Sequence, residues 1–274
     1  MDRRIVLLKL HYLGLEIHQI HQIYHKLKTH SHWSISTLKN CLGPSYKTYL
    51  KLDENNILRD LQRYKIGFLT INDVIYPDIL RHIYMPPLVL FYKGNVELLK
   101  SQTMAVIGSR IHTSYGERAC NYFVKELVKH GYVIVSGLAR GIDGISHRAA
   151  IRNSGKTIAV LGSGLLRIYP PEHKKLADVI ARNHLLLSEY PPFEPPQKTH
   201  FPFRNRIVSG LSEGIVVIEA AKRSGTLITC DFALDQGKDV YAVPGPIFSK
   251  KSQGTNELIQ QGAKLIQGME DILE

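Results

Sequence analysis

The sequence predicts an α/β protein with a doubly wound, mostly parallel sheet preceded by a small N-terminal helical domain. Three observations predict it. Short runs of Val, Ile and Leu recur from about residue 88 onward, separated by segments of helical length. Before residue 65 the apolar positions instead recur at helical spacing. The 274 residues, 44% of them apolar, suffice for one large core and a small satellite.

Residues 1–65 read as short amphipathic helices, with Ile20, Ile23, Tyr24 and Leu27 on one face. Gly43-Pro44 is a turn between two of them, because proline cannot extend a preceding helix. This stretch carries a net charge of +6, against +5 for the much longer remainder. Either an auxiliary nucleic-acid surface or a solvated basic face accounts for that density. His18, His21 and His25 share a helical face, but no acidic or cysteine ligand accompanies them, so they are expected to be structural or solvent-facing.

Residues 66–274 form the second predicted domain. The stretch 66–87, with Tyr76-Pro77 and Pro86-Pro87, is expected to be a partly extended lead-in. Strands are then predicted at Leu88–Phe91, Met104–Ile107, Val133–Val135, Thr157–Leu161, Leu185–Leu187, Ile215–Ile218 and Asp239–Val243. Apolar runs of this kind are buried on both faces, as in a parallel sheet with helical crossovers.

Ligands of open parallel sheets sit at the carboxyl ends of strands. There the chain places Gly108-Ser109-Arg110, Ser136-Gly137 through Arg140-Gly141, Gly162-Ser163-Gly164, and Ser224-Gly225-Thr226 after Glu219. Glycine turns present backbone N–H groups to an anion, hydroxyls add donors, and arginine offers a fork for phosphate oxygens. A proline-rich segment from Glu189 then leads into Lys198, Phe201, Phe203, Arg204, Asn205 and Arg206, which is expected to be a loop. Cations interleaved with aromatic rings hold phosphates and unpaired bases together, so single-stranded nucleic acid is the predicted ligand. Of the two rings, Phe201 is the expected base contact and Phe203 the expected packing residue.

Several functions are disfavoured. The first turn lacks G-x-G-x-x-G and no G-x-x-x-x-G-K-[ST] occurs, which argues against a dinucleotide site and a phosphate-loop NTPase. Cys41, Cys120 and Cys230 suggest neither disulfides nor zinc, and with no secretory leader a reducing cytoplasm is expected. No apolar run is long enough to span a bilayer. Asp143 and His147 stand one helical turn apart, yet no nucleophile accompanies them; Glu219 is a lone carboxylate. Neither catalysis, a metal nor a cofactor is expected.

With these residues in view, the chain resembles the DprA/Smf family of DNA-processing proteins. The resemblance rests on GSRIHTSYGERA (108–119), SGLARGIDGISHRAA (136–150), GKTIAVLGSGLLRIYPPEH (155–173), SEYPPF (188–193), HFPFRNRIVSGLSEGIVVIEAAKRSGTLIT (200–229), DVYAVPG (239–245) and GTNELIQQGAKLI (254–266). It covers nearly all of 66–274 and is faint over 1–65, where members often carry a small helical domain of the SAM or helix-hairpin-helix kind. The resemblance implies an extended Rossmann-type fold, binding of single-stranded DNA with little sequence preference, homodimerisation, and loading of the RecA recombinase during natural transformation. Gly108, Ser109 and Arg110 would hold phosphates; Lys198 and Phe201 would hold the backbone and a base. With the turn residues Ser136, Gly137 and Arg140, and Arg204 and Asn205, these form the candidate DNA-contacting set. Dimer and RecA contacts would fall around 240–266. Many members extend into a winged-helix-like C-terminal domain, and none is expected in a chain stopping at Glu274. The competing reading is a nucleotide enzyme similar to the LOG-type phosphoribohydrolases, whose P-G-G-x-G-T-x-x-E is not matched at Glu219–Thr226.

Overall fold

The amphipathic spacing of the first 65 residues is realised as five helices in the computed structural model, which describes residues 2–30 and 33–273. They are α1 (Arg3–His11), α2 (Ile17–Lys28), α3 (Ile35–Leu42), α4 (Tyr46–Lys51) and α5 (Glu54–Arg63). Capping sets several starts. The side chains of Asp2, Ser34 and Asp53 accept from the amides of Arg4, Thr37 and Asn55 at 2.8, 3.1 and 2.9 Å, satisfying first-turn N–H groups that lack intrahelical partners. The turn expected at Gly43-Pro44 lies between α3 and α4, with Gly43 at φ +52.

The remaining elements are β1 (Gly67–Thr70), α6 (Asp78–Arg81), β2 (Val89–Gly94), β3 (Thr103–Ile107), α7 (Ser114–Lys129), β4 (Val133–Ser136) and α8 (Ile142–Arg152). They continue through β5 (Thr157–Leu161), α9 (Lys174–Asn183), β6 (Leu185–Ser188), α10 (His200–Gly210), β7 (Gly214–Val217) and α11 (Gly225–Asp235). The chain closes with β8 (Asp239–Ala242), α12 (Gln253–Gln260), β9 (Lys264–Leu265) and α13 (Glu270–Leu273). All nine strands form one sheet in the order β1-β2-β6-β5-β4-β3-β7-β8-β9. From β6 to β9 neighbours pair in parallel; β1–β2 and β2–β6 are antiparallel.

Two departures from the sequence reading stand out. The expected lead-in contains β1, paired to β2 through Phe68 and Phe91, and the short β9 adds a parallel edge beside β8. The predicted loop at 189–206 ends early, because His200 begins α10. Pro202 is its third residue, and proline is tolerated in a first turn whose N–H groups have no intrahelical partner.

Strand alternation divides the core. Met104, Val106, Ile134 and Val216 face Cys120, Phe123 and Val124 of α7 and Ile142 and Ile145 of α8. Ala105, Ile107, Val135 and Val217 face the other way, with Ile207 and Val208 of α10. That second cluster runs without a break through Leu186 and Phe91 into Leu7, Leu10, Ile20, Leu27 and Leu61 of the N-terminal helices. Arg4 strengthens the seam by donating to the Phe68 carbonyl at 3.0 Å and pairing with Asp73 at 3.1 Å.

Of the three histidines on α2, His21 is buried and the other two are exposed. Burial holds the imidazoles of His11 and His21 down at about 4, the charge of Arg206 adding to the effect on His21. His147, on α8, is lowered by burial to about 3. Unfolded imidazoles titrate near 6.5, so the unfolded chain takes up these protons first. Stability is therefore expected to be full above about pH 6.5 and to drain away as pH falls through 4. Thermal melts across that window check it; a melting temperature independent of pH below 6.5 would contradict the buried, neutral assignment.

Candidate nucleic-acid cleft

The strand order reverses between β3 and β7. From β3 the chain winds outward through β4, β5 and β6, and from β7 it winds the opposite way through β8 and β9. Adjacent crossovers diverge at such a switch point and leave a crevice at the carboxyl ends of the strands. A cleft of about 360 Å³ opens there. Three of the four predicted turns line it: Gly108, Ser109 and Arg110 after β3, Gly137 and Ala139 after β4, and Ser224, Gly225 and Thr226 at the start of α11. Phe201, Arg204 and Asn205 enter from the first turns of α10.

The first two turns interlock. Gly141 has φ +70, and a Cβ on it would collide with the backbone of Ser109 and Arg110. The Ile142 amide donates to the Ser109 carbonyl at 3.2 Å. Leu138 also sits in the left-handed region, at φ +57, which is costly for a branched residue. Its side chain is fully buried and its carbonyl meets His173 Nδ1 at 2.9 Å, so packing holds the conformation in place.

The candidate residues divide by what their side chains do. Arg110 is exposed at the rim, and Phe201 is half-buried, its ring 5.3 Å from that of Tyr169. Ser109 Oγ donates to the Ile111 carbonyl at 2.7 Å, so that hydroxyl shapes the turn. Ser136 does not line the cleft: it is fully buried and donates to the Val106 carbonyl at 2.8 Å. Arg140 lines a smaller adjoining recess with Arg110, Tyr169 and Phe201, and is ion-paired with Glu172. Lys198 is exposed on the approach to α10 and lines neither space.

Arg204 and Arg206 do not project from a loop as their composition suggested. Arg204 is buried beneath Gly137, donating to the Gly137 carbonyl at 2.6 Å and to the Val160 carbonyl. Burial lowers its pKa to about 10, opposed by the neighbouring Asp143 charge, so the guanidinium stays protonated at the floor of the cleft, beside the Asp143 carboxyl that lines it too. Arg206 lies on the opposite side of α10, fully buried, with Nη2 donating to both carboxylate oxygens of Glu189 at 2.7 and 2.8 Å. Phe203 packs over that guanidinium, its ring centroid 3.9 Å away. Asn205 Nδ2 reaches the Gly225 carbonyl at 3.4 Å and ties α10 to the start of α11.

The carboxylates considered for chemistry are engaged in structural hydrogen bonds. Asp143 accepts from the Ala139 amide at 3.3 Å, while His147 Nδ1 meets Thr157 Oγ1 at 2.6 Å in the core, so the two do not form a dyad. Glu219 is buried and accepts from the amide and hydroxyl of Thr113, pinning the start of α7. Among the described residues no group of three or more His, Cys, Asp or Glu could hold a metal ion, and no helix is long and apolar enough to cross a membrane.

Sequence reasoning missed Tyr169 and Lys251. Tyr169 lies far from α10 in the chain and meets Phe201 only through folding. Lys251, which also lines the cleft, follows β8 in a Ser-Lys-Lys run at another strand's carboxyl end. Applying the strand-end rule to β8 would have found it.

The family model for DNA recombination-mediator protein A matches residues 67–274. The chain is 49% identical over 219 residues to the DNA processing protein DprA of Bacillus subtilis, covering 80% of this chain and 74% of that one. It is 45% identical over 241 residues to DprA of Streptococcus pneumoniae, covering 87% and 84%. The solved structure of the Streptococcus pneumoniae protein superposes with a TM-score of 0.90 at 41% identity, covering 98% of this chain and 96% of that one. DNA processing protein A of Helicobacter pylori, solved for its single-stranded DNA binding mode, superposes with a TM-score of 0.67 at 33% identity, covering 76% and 94%.

Proposed function

This chain belongs to the DNA recombination-mediator protein A family, the DprA/Smf proteins, and from that premise we propose that it holds single-stranded DNA in the β3/β7 cleft. One observation carries the reading: Phe201 and Arg110 line the same cleft, an aromatic face beside an exposed cation, above a floor formed by Arg204 and Asp143. Unpaired bases stack on rings while guanidinium groups hold phosphates, and neither contact depends on base identity. The Helicobacter pylori relative's recorded single-stranded DNA binding supports the same ligand. Family membership further supports a role in DNA processing during transformation, in which a homodimer shields the incoming strand and loads RecA onto it in the cytoplasm. The chain acts in this scheme as a binding protein and not as a catalyst.

The test is a titration with a mononucleotide, single-stranded DNA and duplex DNA of matched length. Single strands are expected to bind most tightly, with affinity falling steeply as salt rises because phosphate neutralisation releases counterions. Tight mononucleotide binding with release of free base would overturn the reading in favour of a nucleotide enzyme.

A further inference from the structure

The loop from β8 to α12 holds two large apolar side chains in water beside the cleft. Phe248 is 93% exposed and Ile247 74%. Scattered exposed residues are ordinary, but this pair sits on a well-anchored loop. The Tyr115 hydroxyl donates to the Pro244 carbonyl at 2.7 Å, and Gly245 exchanges hydrogen bonds with the Asn256 side chain at 3.2 and 3.0 Å. Within the loop, the Ser249 amide donates to Pro246 O at 2.9 Å and the Ser252 amide to Ser249 O at 3.0 Å. A closed turn thus presents the Phe248 ring outward.

Its chemical neighbours indicate what it meets. Lys250 and Lys251 follow within three residues, and Lys251 itself lines the cleft that holds Arg110 and Phe201. The cleft is thus lined by the Phe201 ring and by the cations Arg110 and Lys251, and Phe248 stands three residues before Lys251 on the same loop. Ile111, 74% exposed on the turn after β3, adds apolar surface to the cleft. This is the composition that tracks an unpaired strand, with cations for successive phosphates and rings for bases. The loop falls within 240–266, where the family resemblance places dimer and RecA contacts, but a second copy of this chain, at a net charge of +11, would bring like charge against Lys250 and Lys251, whereas a polyanionic strand complements them.

We propose that Phe248 is a second base-stacking platform, with Lys250 and Lys251 carrying the strand out of the β3/β7 cleft onto it. The inference rests on the strand-binding reading above and adds an extent and a direction to it: the strand leaves the cleft toward β8, and the loop engages only oligonucleotides long enough to arrive.

The test is fluorescence anisotropy on the full chain with oligo-dT of about 5 and about 15 nucleotides, lengths within the usual range of single-strand sites. Phe248→Ala is expected to weaken the longer oligonucleotide about tenfold, as loss of one stacked base does, and to leave the shorter one unchanged. Phe248→Trp should retain wild-type affinity, whereas Phe248→Leu, which keeps apolar bulk without a π face, should behave like the alanine variant. Equal affinity of Phe248→Ala and wild type for both lengths would overturn the proposal. So would equal losses on both lengths, or a changed oligomeric mass in light scattering with strand affinity untouched. Phe201→Ala, run alongside, should weaken both lengths; if it weakens neither, the strand-binding reading itself has failed, independently of Phe248.

Discussion

Replacing Arg206 with methionine should destabilise the chain by about 3–5 kcal/mol, the cost of leaving a buried carboxylate without its partner. Glu189 is almost wholly buried and receives both of its strong hydrogen bonds from the one guanidinium nitrogen. The Arg206 guanidinium also donates to the Met85 carbonyl at 3.1 Å and the Phe203 carbonyl at 3.3 Å, so one side chain joins α10, the residue that follows β6 and the segment before β2. Urea denaturation measures the loss directly. The double variant Arg206→Met/Glu189→Leu should recover most of it, because removing both charges also removes the desolvation they require. A double variant no more stable than the single one would show that the backbone carbonyls, and not the carboxylate, dominate the cost.

The second large effect concerns binding. Phe201→Ala should lower single-strand affinity by about 1–3 kcal/mol, roughly the value of one stacked base, while changing weak duplex binding little. Arg110→Ala should weaken binding to every sequence alike and reduce the salt slope by about one, the signature of a lost phosphate contact. Anisotropy titrations at several salt concentrations separate the two. Arg110 is exposed and Phe201 half-buried, so circular dichroism should show both variants folded. A Phe201→Ala variant that loses single and double strands equally would point to a disturbed α10 instead of a lost stack.

Much of this architecture was legible because its signals are local. Apolar runs such as Thr157–Leu161 are buried on both faces, and their composition says so without reference to any partner. The glycine turns were legible for the same reason, and three of them meet in one cleft. Strand direction was not: nothing within Val89–Gly94 states that it runs antiparallel to Leu185–Ser188, since pairing is decided by residues almost a hundred positions apart. β1 escaped notice because four residues flanked by turns carry almost no periodicity.

The charged residues show the sharper limit. Arg204 and Arg206 occupy a stretch whose basic, aromatic composition suggests a solvent-facing binding loop, and both are buried. Composition counts charges but does not place them. Only the turn of α10 reveals that Arg204 faces Gly137 while Arg206 faces Glu189. The N-terminal helices illustrate the converse: the sequence resemblance over 1–65 is faint, yet the Streptococcus pneumoniae structure superposes over 98% of this chain. Amphipathic faces can be rebuilt from many residues, whereas a turn needing φ near +70 accepts few.

The sheet finishes at β9, two residues paired to Tyr241 and Ala242. So short an edge cannot template a further strand, and this margin is thereby protected from the runaway strand addition that long bare edges invite. A second copy meeting the molecule here would have to grip it through side chains. Contacts of that kind can be undone by a single substitution, and tuned by one, without touching the sheet behind them.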